Sequence, residues 1–411
     1  MTLRDDVRDY FEQESRRLPA PAGLRADATA RASAAPATTP SLRWAAVLAA
    51  LLAVAILAGL LASGQLRRVL SQQVTPGGHI RVTSSQIEEV LDIDLADRNH
   101  GWALIGVCDQ GTLNLGPCQN WVEPTRDGGR TWVDPVKVGP QDTGFSADTP
   151  RHIHFANASD GFVYGLGVAF VTHDGGRTWT EVPGETSELV TIMGSATVWA
   201  VLEPCATGAQ CPFAVRTSLD GGRNWSAAAP LPAGFVPDQA NAFGPSGLLL
   251  AGPGTGDMAI TNDDGNTWRS IPGRCSAGDV GNYVATSDGQ DLWQLCNITS
   301  TPLVMRLFTS DDSGKTWVEN SALPGEGQLP SAGIQTILLV STQPGHALFS
   351  IGQLPIELTT DGGRTWTPVT RTAFYDRIVF CSSGEGWAEH GAIYATHDGG
   401  RTWTKLQSQP V

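Results

Sequence analysis

The chain has 411 residues, 41 of them acidic and 27 basic, for a net charge of −14. Residues 1–68 hold nine Arg and six acidic residues, so they carry +3 and the rest of the chain carries −17. A body that acidic repels phosphates, which excludes nucleic acid as its partner.

Leu3, Val7, Tyr10, Phe11 and Leu18 recur at helical spacing behind Thr2, which predicts one short amphipathic helix. Pro19 to Pro40 is rich in Ala, Pro and Thr, has no core-forming pattern and reads as a tether. Ala45 to Ser63 is 19 residues without a charge, set between Arg43 and Arg67-Arg68. That length matches the hydrocarbon core of a bilayer. A signal peptide does not usually sit behind some 43 polar residues, and no Cys follows Leu61-Ala62-Ser63-Gly64 for lipoprotein processing. One transmembrane helix is therefore expected over residues 44–64, after a tail at 1–43. Residues 65–84 read as a stalk, of which His79 to Thr83 can add an edge strand.

From residue 85 onward one octapeptide, [Ser/Thr]-x-Asp-x-Gly-x-[Thr/Asn]-Trp, recurs seven times. Its aspartates are Asp127, Asp174, Asp220, Asp263, Asp312, Asp361 and Asp398, separated by 47, 46, 43, 49, 49 and 37 residues. A period in the mid-forties with β-type sequence between copies predicts an all-β propeller of seven four-stranded blades over 85–411. Each copy joins two apolar runs as a hairpin. The Asp accepts backbone N–H bonds two or three residues on, the Gly two positions later permits positive φ, and the leading Ser or Thr ties the loop. The Trp is expected to bury its ring and satisfy its N–H nearby. In blade two the strands are placed at His152–Ala158, Gly161–Leu166, Val168–Thr172 and Arg177–Val182. In blade one they begin near Val90, Gly101, Asn120 and Arg130.

These octapeptides resemble the Asp-box (BNR) repeat of sialidases, sortilin-type receptors, some glucanases and photosystem II assembly factor propellers. The resemblance covers about residues 85–411, and seven copies in phase make it specific. It implies that the boxes lie between third and fourth strands, on the face opposite the usual ligand site, and that they are structural. No metal or cofactor is expected. Asp263-Asp264 and Asp311-Asp312 lack the alternating acids and distal Glu of an EF-hand loop.

Cys108 and Cys118, Cys205 and Cys211, and Cys275 and Cys296 form close-spaced pairs, with Cys381 left over. Such pairs in a loop-rich β domain suggest disulfides and an oxidising compartment. A zinc site is the alternative, but no pair has the tight spacing or a matched His. The arginines flanking the apolar segment are balanced, so the cysteines decide the orientation: tail in the cytoplasm, propeller extracytoplasmic. By the blade phasing the first two pairs close second-to-third loops, and Cys275–Cys296 ties an inter-blade link to a second strand. All three fall on the face opposite the boxes. Cys381, in the run Ile378-Val379-Phe380-Cys381, reads as a buried residue of an inner strand.

The starts of the inner strands ring the central opening on that face. Candidates there are Glu88, Glu89, Arg151, His152, His154, Asp238, Tyr283, Tyr375, Asp376 and Arg377. Arg151, His152, Tyr375, Asp376 and Arg377 rank first, because two short runs combine donors, an acid and a phenol. A sialidase uses three arginines, a Tyr–Glu pair, an Asp acid and an early Arg-Ile-Pro signature. Here Arg377-Ile378-Val379 lies in the last blade and no Arg-Ile-Pro occurs. The expected function is a membrane-anchored scaffold that binds a protein, peptide or glycan. The alternative is a sialidase-like glycoside hydrolase using Arg151, Tyr375, Asp376 and Arg377.

Overall fold

The computed structural model describes residues 80, 86–109, 118–139, 150–165, 168–182, 189–202, 213–276, 279, 281–298, 304–320, 323–324, 337–352, 354–369 and 375–410. The expected amphipathic helix, tether, transmembrane helix and most of the stalk lie outside these residues, as do Cys205 and Cys211. Among the described residues no helix is long and apolar enough to cross a membrane.

Among the described residues twenty-eight strands form seven four-stranded sheets, each an antiparallel meander of four consecutive strands. Blade one comprises β1 (Gln86–Leu95), β2 (Gly101–Asp109), β3 (Cys118–Thr125) and β4 (Val136–Val138). Blade two comprises β5 (His152–Phe155), β6 (Gly161–Gly165), β7 (Val168–Thr172) and β8 (Thr180–Glu181). The inner strands of the other blades are β9 (Leu189–Met193), β13 (Gln239–Phe243), β17 (Gly281–Thr286), β21 (Ile337–Gln343) and β25 (Arg377–Phe380). The seven blades predicted from the repeat are the seven sheets. Some boundaries differ: β1 starts at Gln86, not near Val90, β5 ends at Phe155, not Ala158, and β8 spans Thr180–Glu181, not Arg177–Val182. The largest shift is in the outer strand of blade one, which starts at Val136, not near Arg130. Thr125 makes an isolated bridge to Trp132, and Pro135, which has no N–H to donate, delays the ladder.

Each box is a closed hydrogen-bond network. In blade two Thr172 Oγ1 donates to Asp174 Oδ1 (2.9 Å) and accepts from Gly176 N (3.0 Å). Asp174 then accepts from Thr178 N (2.9 Å) and Thr178 Oγ1 (2.7 Å). The Asp thus reaches four residues on, further than the turn chemistry alone suggested. The Gly two positions after it adopts positive φ, +88° at Gly176. The loop lies against Trp102 of the preceding blade, whose Nε1 donates to Gly175 O (3.1 Å). The box therefore closes its own hairpin and docks onto the neighbouring blade. The Trp rings are half-buried as expected, but only some N–H groups are satisfied. Trp317 and Trp403 bond Gly314 O and Gly400 O, whereas Nε1 of Trp179, Trp268 and Trp366 has no hydrogen-bond partner among the described residues.

Among the described residues no strand is exchanged between the first and last blades, and side chains close the ring. Trp387 of blade seven packs on Gly101, Leu406 on Gly129, and Trp132 Nε1 donates to Ser408 O (3.2 Å). Ile80, the one stalk residue described, is buried in the same cluster as Ile93, Ile105 and Trp387.

Candidate functional site at the channel mouth

In an antiparallel meander, turns alternate between the two faces. Backbone bonds from the boxes to first-to-second turns confirm this, for example Gly175 N to Ser159 O (2.9 Å) and Gly399 N to Gly384 O (3.0 Å). Second-to-third loops and inter-blade links therefore open on the opposite face. Cys108–Cys118 joins directly opposed residues at the end of β2 and the start of β3 on that face. Cys275–Cys296 ties the link before β17 to β18 (Leu292–Ile298), as the spacing implied.

The inner edges of the blades leave backbone N–H groups facing the channel, and each needs an acceptor. Asp92 and Asp94 supply them for blade two. A register shift between Val90 and Asp92 bulges β1, after which Asp92 and Asp94 share one side of the strand while Ile93 and Leu95 enter the core. Asp92 Oδ2 accepts from Ile153 N (3.0 Å) and Asp94 Oδ2 from Phe155 N (2.6 Å). Gln239 does the same for blade five, accepting from Val284 N (3.1 Å) and donating to Asn282 O (2.6 Å).

Asp92 is the hub. Its side chain is fully buried and its Oδ1 also accepts from Ile93 N (2.7 Å). Arg377 Nε of blade seven lies 2.5 Å from Oδ1, and His152 Nδ1 lies 3.5 Å from Oδ2. The Arg377 N–H is not aimed at that oxygen, so the contact is an ion pair rather than an aligned hydrogen bond. His154 sits lower, with Nδ1 3.2 Å from Asp94 and Nε2 2.6 Å from Gly194 O. Burial opposes its charge, but the Asp94 carboxylate and the carbonyl outweigh that and raise its pKa. Asp94, His152, His154 and Arg377 line a polar cavity of about 410 Å³ with Tyr164 and Thr191. A second space of about 470 Å³, reaching Ser195, Asn241 and Ser341, continues down the channel.

The structure brings together His152, His154 and Arg377 and places exposed Arg151 beside them. It does not bring Tyr375 into the cup. That residue is 1% exposed, packed against Tyr394 and Trp403, and burial raises its pKa far above the ordinary phenol value. Asp376 is exposed on the rim, where it takes a 2.7 Å contact from His390 Nδ1. Glu89 and Asp238 are exposed too, Tyr283 and Glu88 half-buried, and burial raises the Glu88 carboxyl. Cys381 lies one residue beyond β25, half-buried, its thiol pushed up to about 11 by burial. Asp92 and Asp94 were not nominated from sequence. Their signal is two acids at alternate positions in the otherwise apolar second half of β1, Val90–Leu95.

The cup presents donors and the Asp94 carboxylate, already engaged by Phe155 N and His154, an arrangement suited to holding a ligand. Tyr164 OH donates to Ile192 O (3.1 Å), and burial raises its pKa, so neither phenol near the cup is activated as a nucleophile.

The model of the photosynthesis system II assembly factor YCF48 family matches residues 78–387. A search of curated proteins gives no match. Among solved structures, YCF48 bound to D1 peptide is similar at 19% identity, covering 78% of this chain and 93% of that chain, with a TM-score of 0.51. YCF48 from Cyanidioschyzon merolae is similar at 16% identity, covering 78% and 95%, with a TM-score of 0.48. An ancestral GH74 enzyme is similar at 13% identity, covering 79% of this chain and 47% of that chain, with a TM-score of 0.51. At these identities the structural likenesses speak to the fold. The family match spans three quarters of the sequence and six of the seven boxes, and the chain belongs to the photosynthesis system II assembly factor YCF48 family.

Proposed function

We propose that this chain is a membrane-anchored, extracytoplasmic scaffold that binds a protein or peptide on the propeller face opposite the boxes. The observation that carries the reading is the division of labour between the two faces. On one face the box side chains are consumed by their own turns and by the neighbouring blade. On the other, two disulfides fasten the ends of loops on the face that carries a cup whose Arg377 and His152 face a cavity. Cross-linked loops lose less entropy on binding. A YCF48 has been solved with a D1 peptide bound, which favours a peptide segment over a glycan as the ligand. Anchoring rests on the uncharged run Ala45–Ser63, and the outward orientation on the disulfides.

The test is co-purification of the full chain with its membrane partners after chemical cross-linking in the cell. Arg151→Glu with His152→Glu should lose the partner, while Arg177→Glu on the box face should keep it. Equal recovery from both would remove the cup from the interface. Hydrolysis of an aryl-glycoside panel that disappears in Arg377→Ala would replace the scaffold by a glycosidase. Protease treatment of intact cells should remove the propeller and spare residues 1–43, and the reverse pattern would invert the orientation.

A further inference from the structure

Cys275 and Cys296 have a third companion that their spacing could not reveal. Asp279, from the same inter-blade link, places a carboxylate oxygen so that it and the two sulfurs all lie within 4.8 Å of one another. We infer that Cys275, Cys296 and Asp279, in the dithiol state, form a zinc site.

The donors are soft thiolates and a carboxylate, the set that zinc takes. A tetrahedral ion with bonds of about 2.0–2.3 Å spaces its donors at roughly 3.3–3.8 Å, so only small side-chain movements are needed. The position is enclosed: Cys275 is 6% exposed, Cys296 fully buried, and the Asp279 side chain 3% exposed. Asn282 Oδ1, 3.8 Å from Cys275 Sγ, is placed for the fourth position. A supporting shell already holds the oxygens. Ser276 N donates to Asp279 Oδ2 (2.7 Å), Arg306 pairs with the same oxygen (3.3 Å), and Gln294 Nε2 donates to Asn282 Oδ1 (2.9 Å). Asp279 Oδ1 is engaged by no described residue. Charge also balances: two thiolates, one carboxylate and Zn²⁺ sum to −1, which the Arg306 guanidinium offsets.

Zinc and the disulfide are alternative occupants of one position, and both fasten the link ahead of β17 to β18. A newly made chain carries the thiols, and zinc binding expels one proton from each. In the oxidised protein a trialkylphosphine restores them: the S–S bond breaks, phosphorus takes oxygen from water, and two thiols form.

The experiment loads purified full chain, reduced with a trialkylphosphine, with zinc and measures bound metal by mass spectrometry. Reduced wild type should hold one zinc more than reduced Cys275→Ser, and oxidised wild type should lack that ion. Asp279→Asn, which keeps the disulfide and so can be shown folded when oxidised, should weaken zinc binding by at least about tenfold after reduction. Cys108→Ser should retain the ion. Cobalt in place of zinc gives a second readout, a thiolate-to-cobalt absorption band present in wild type and diminished in Asp279→Asn. Equal zinc in wild type and Cys275→Ser, or unchanged affinity in Asp279→Asn, overturns the site.

Discussion

Replacing Asp92 by Ala removes a side chain that touches three blades. Ile153 N would lose its acceptor at 3.0 Å, Ile93 N its acceptor at 2.7 Å, and Arg377 its carboxylate. A buried donor left without a partner costs about 1–3 kcal/mol, and removing one member of a buried ion pair about 3–5 kcal/mol. Arg377 and His152 keep access to water, with side chains 37% and 49% exposed, which screens part of the charge penalty. The expected loss is therefore about 3 kcal/mol. Asp92→Asn keeps one acceptor and should lose about half as much. Arg377→Ala should lose about 1 kcal/mol, and the double variant should cost less than the two singles together by a similar amount. The assay is urea unfolding followed by tryptophan fluorescence, with the slope checked against wild type so that midpoints can be compared. A loss below about 1 kcal/mol for Asp92→Ala, or strict additivity with Arg377→Ala, would show that the hub does not hold the ring.

Asp174→Ala removes three acceptor contacts in a half-exposed turn and should cost about 1–3 kcal/mol by denaturation while partner recovery persists. Lost recovery at unchanged stability would mean that the boxes bind ligands. All seven box carboxylates sit below the ordinary Asp value, with Asp220, Asp312 and Asp361 at about 2 through bonds from the turn's own N–H and hydroxyl groups. Their contribution is complete above the unfolded value near 4 and is lost as pH falls toward 2. Glu88, Glu357 and Glu389, raised by burial, bind protons earlier and oppose this loss as pH drops from 7 to 5. Stability should thus hold or rise down to about pH 5 and fall steeply below 4; a steep fall already between 7 and 5 contradicts this. Peptide mapping of the exported protein should recover Cys108–Cys118 and Cys275–Cys296 as linked pairs and Cys381 as a free thiol, and free Cys108 and Cys118 would remove the case for an oxidising compartment.

The repeat made the fold legible because one turn chemistry recurs at every hairpin, and its spacing counts the blades. Strand phasing was close in blade two, whose outer strand lies inside the expected range but is shorter, and was furthest off where Asp134-Pro135 intervened in blade one. Cys108–Cys118 was legible because its partners flank one hairpin. The cup was legible only in part. Inner-strand starts identify which residues approach the channel, yet the contacts that sort them come from far along the chain. Asp92 is defined by Ile153, 61 residues on, and by Arg377 of the last blade. Tyr375 looks like a rim residue by position, and only Tyr394 and Trp403 folding back over it make it core. Asp279 is one acid in a link until the disulfide brings Cys296 beside it. Local periodicity carries none of these long-range contacts.

A photo-reactive amino acid placed in the full chain in living cells reads the working face of the propeller. Positions Glu89, Arg151 and Asp238 on the cup face should yield covalent adducts with a membrane-associated protein, and Arg130, Arg177 and Arg364 in the boxes should not. Adducts from the box positions alone would reverse the face and contradict the scaffold proposed here.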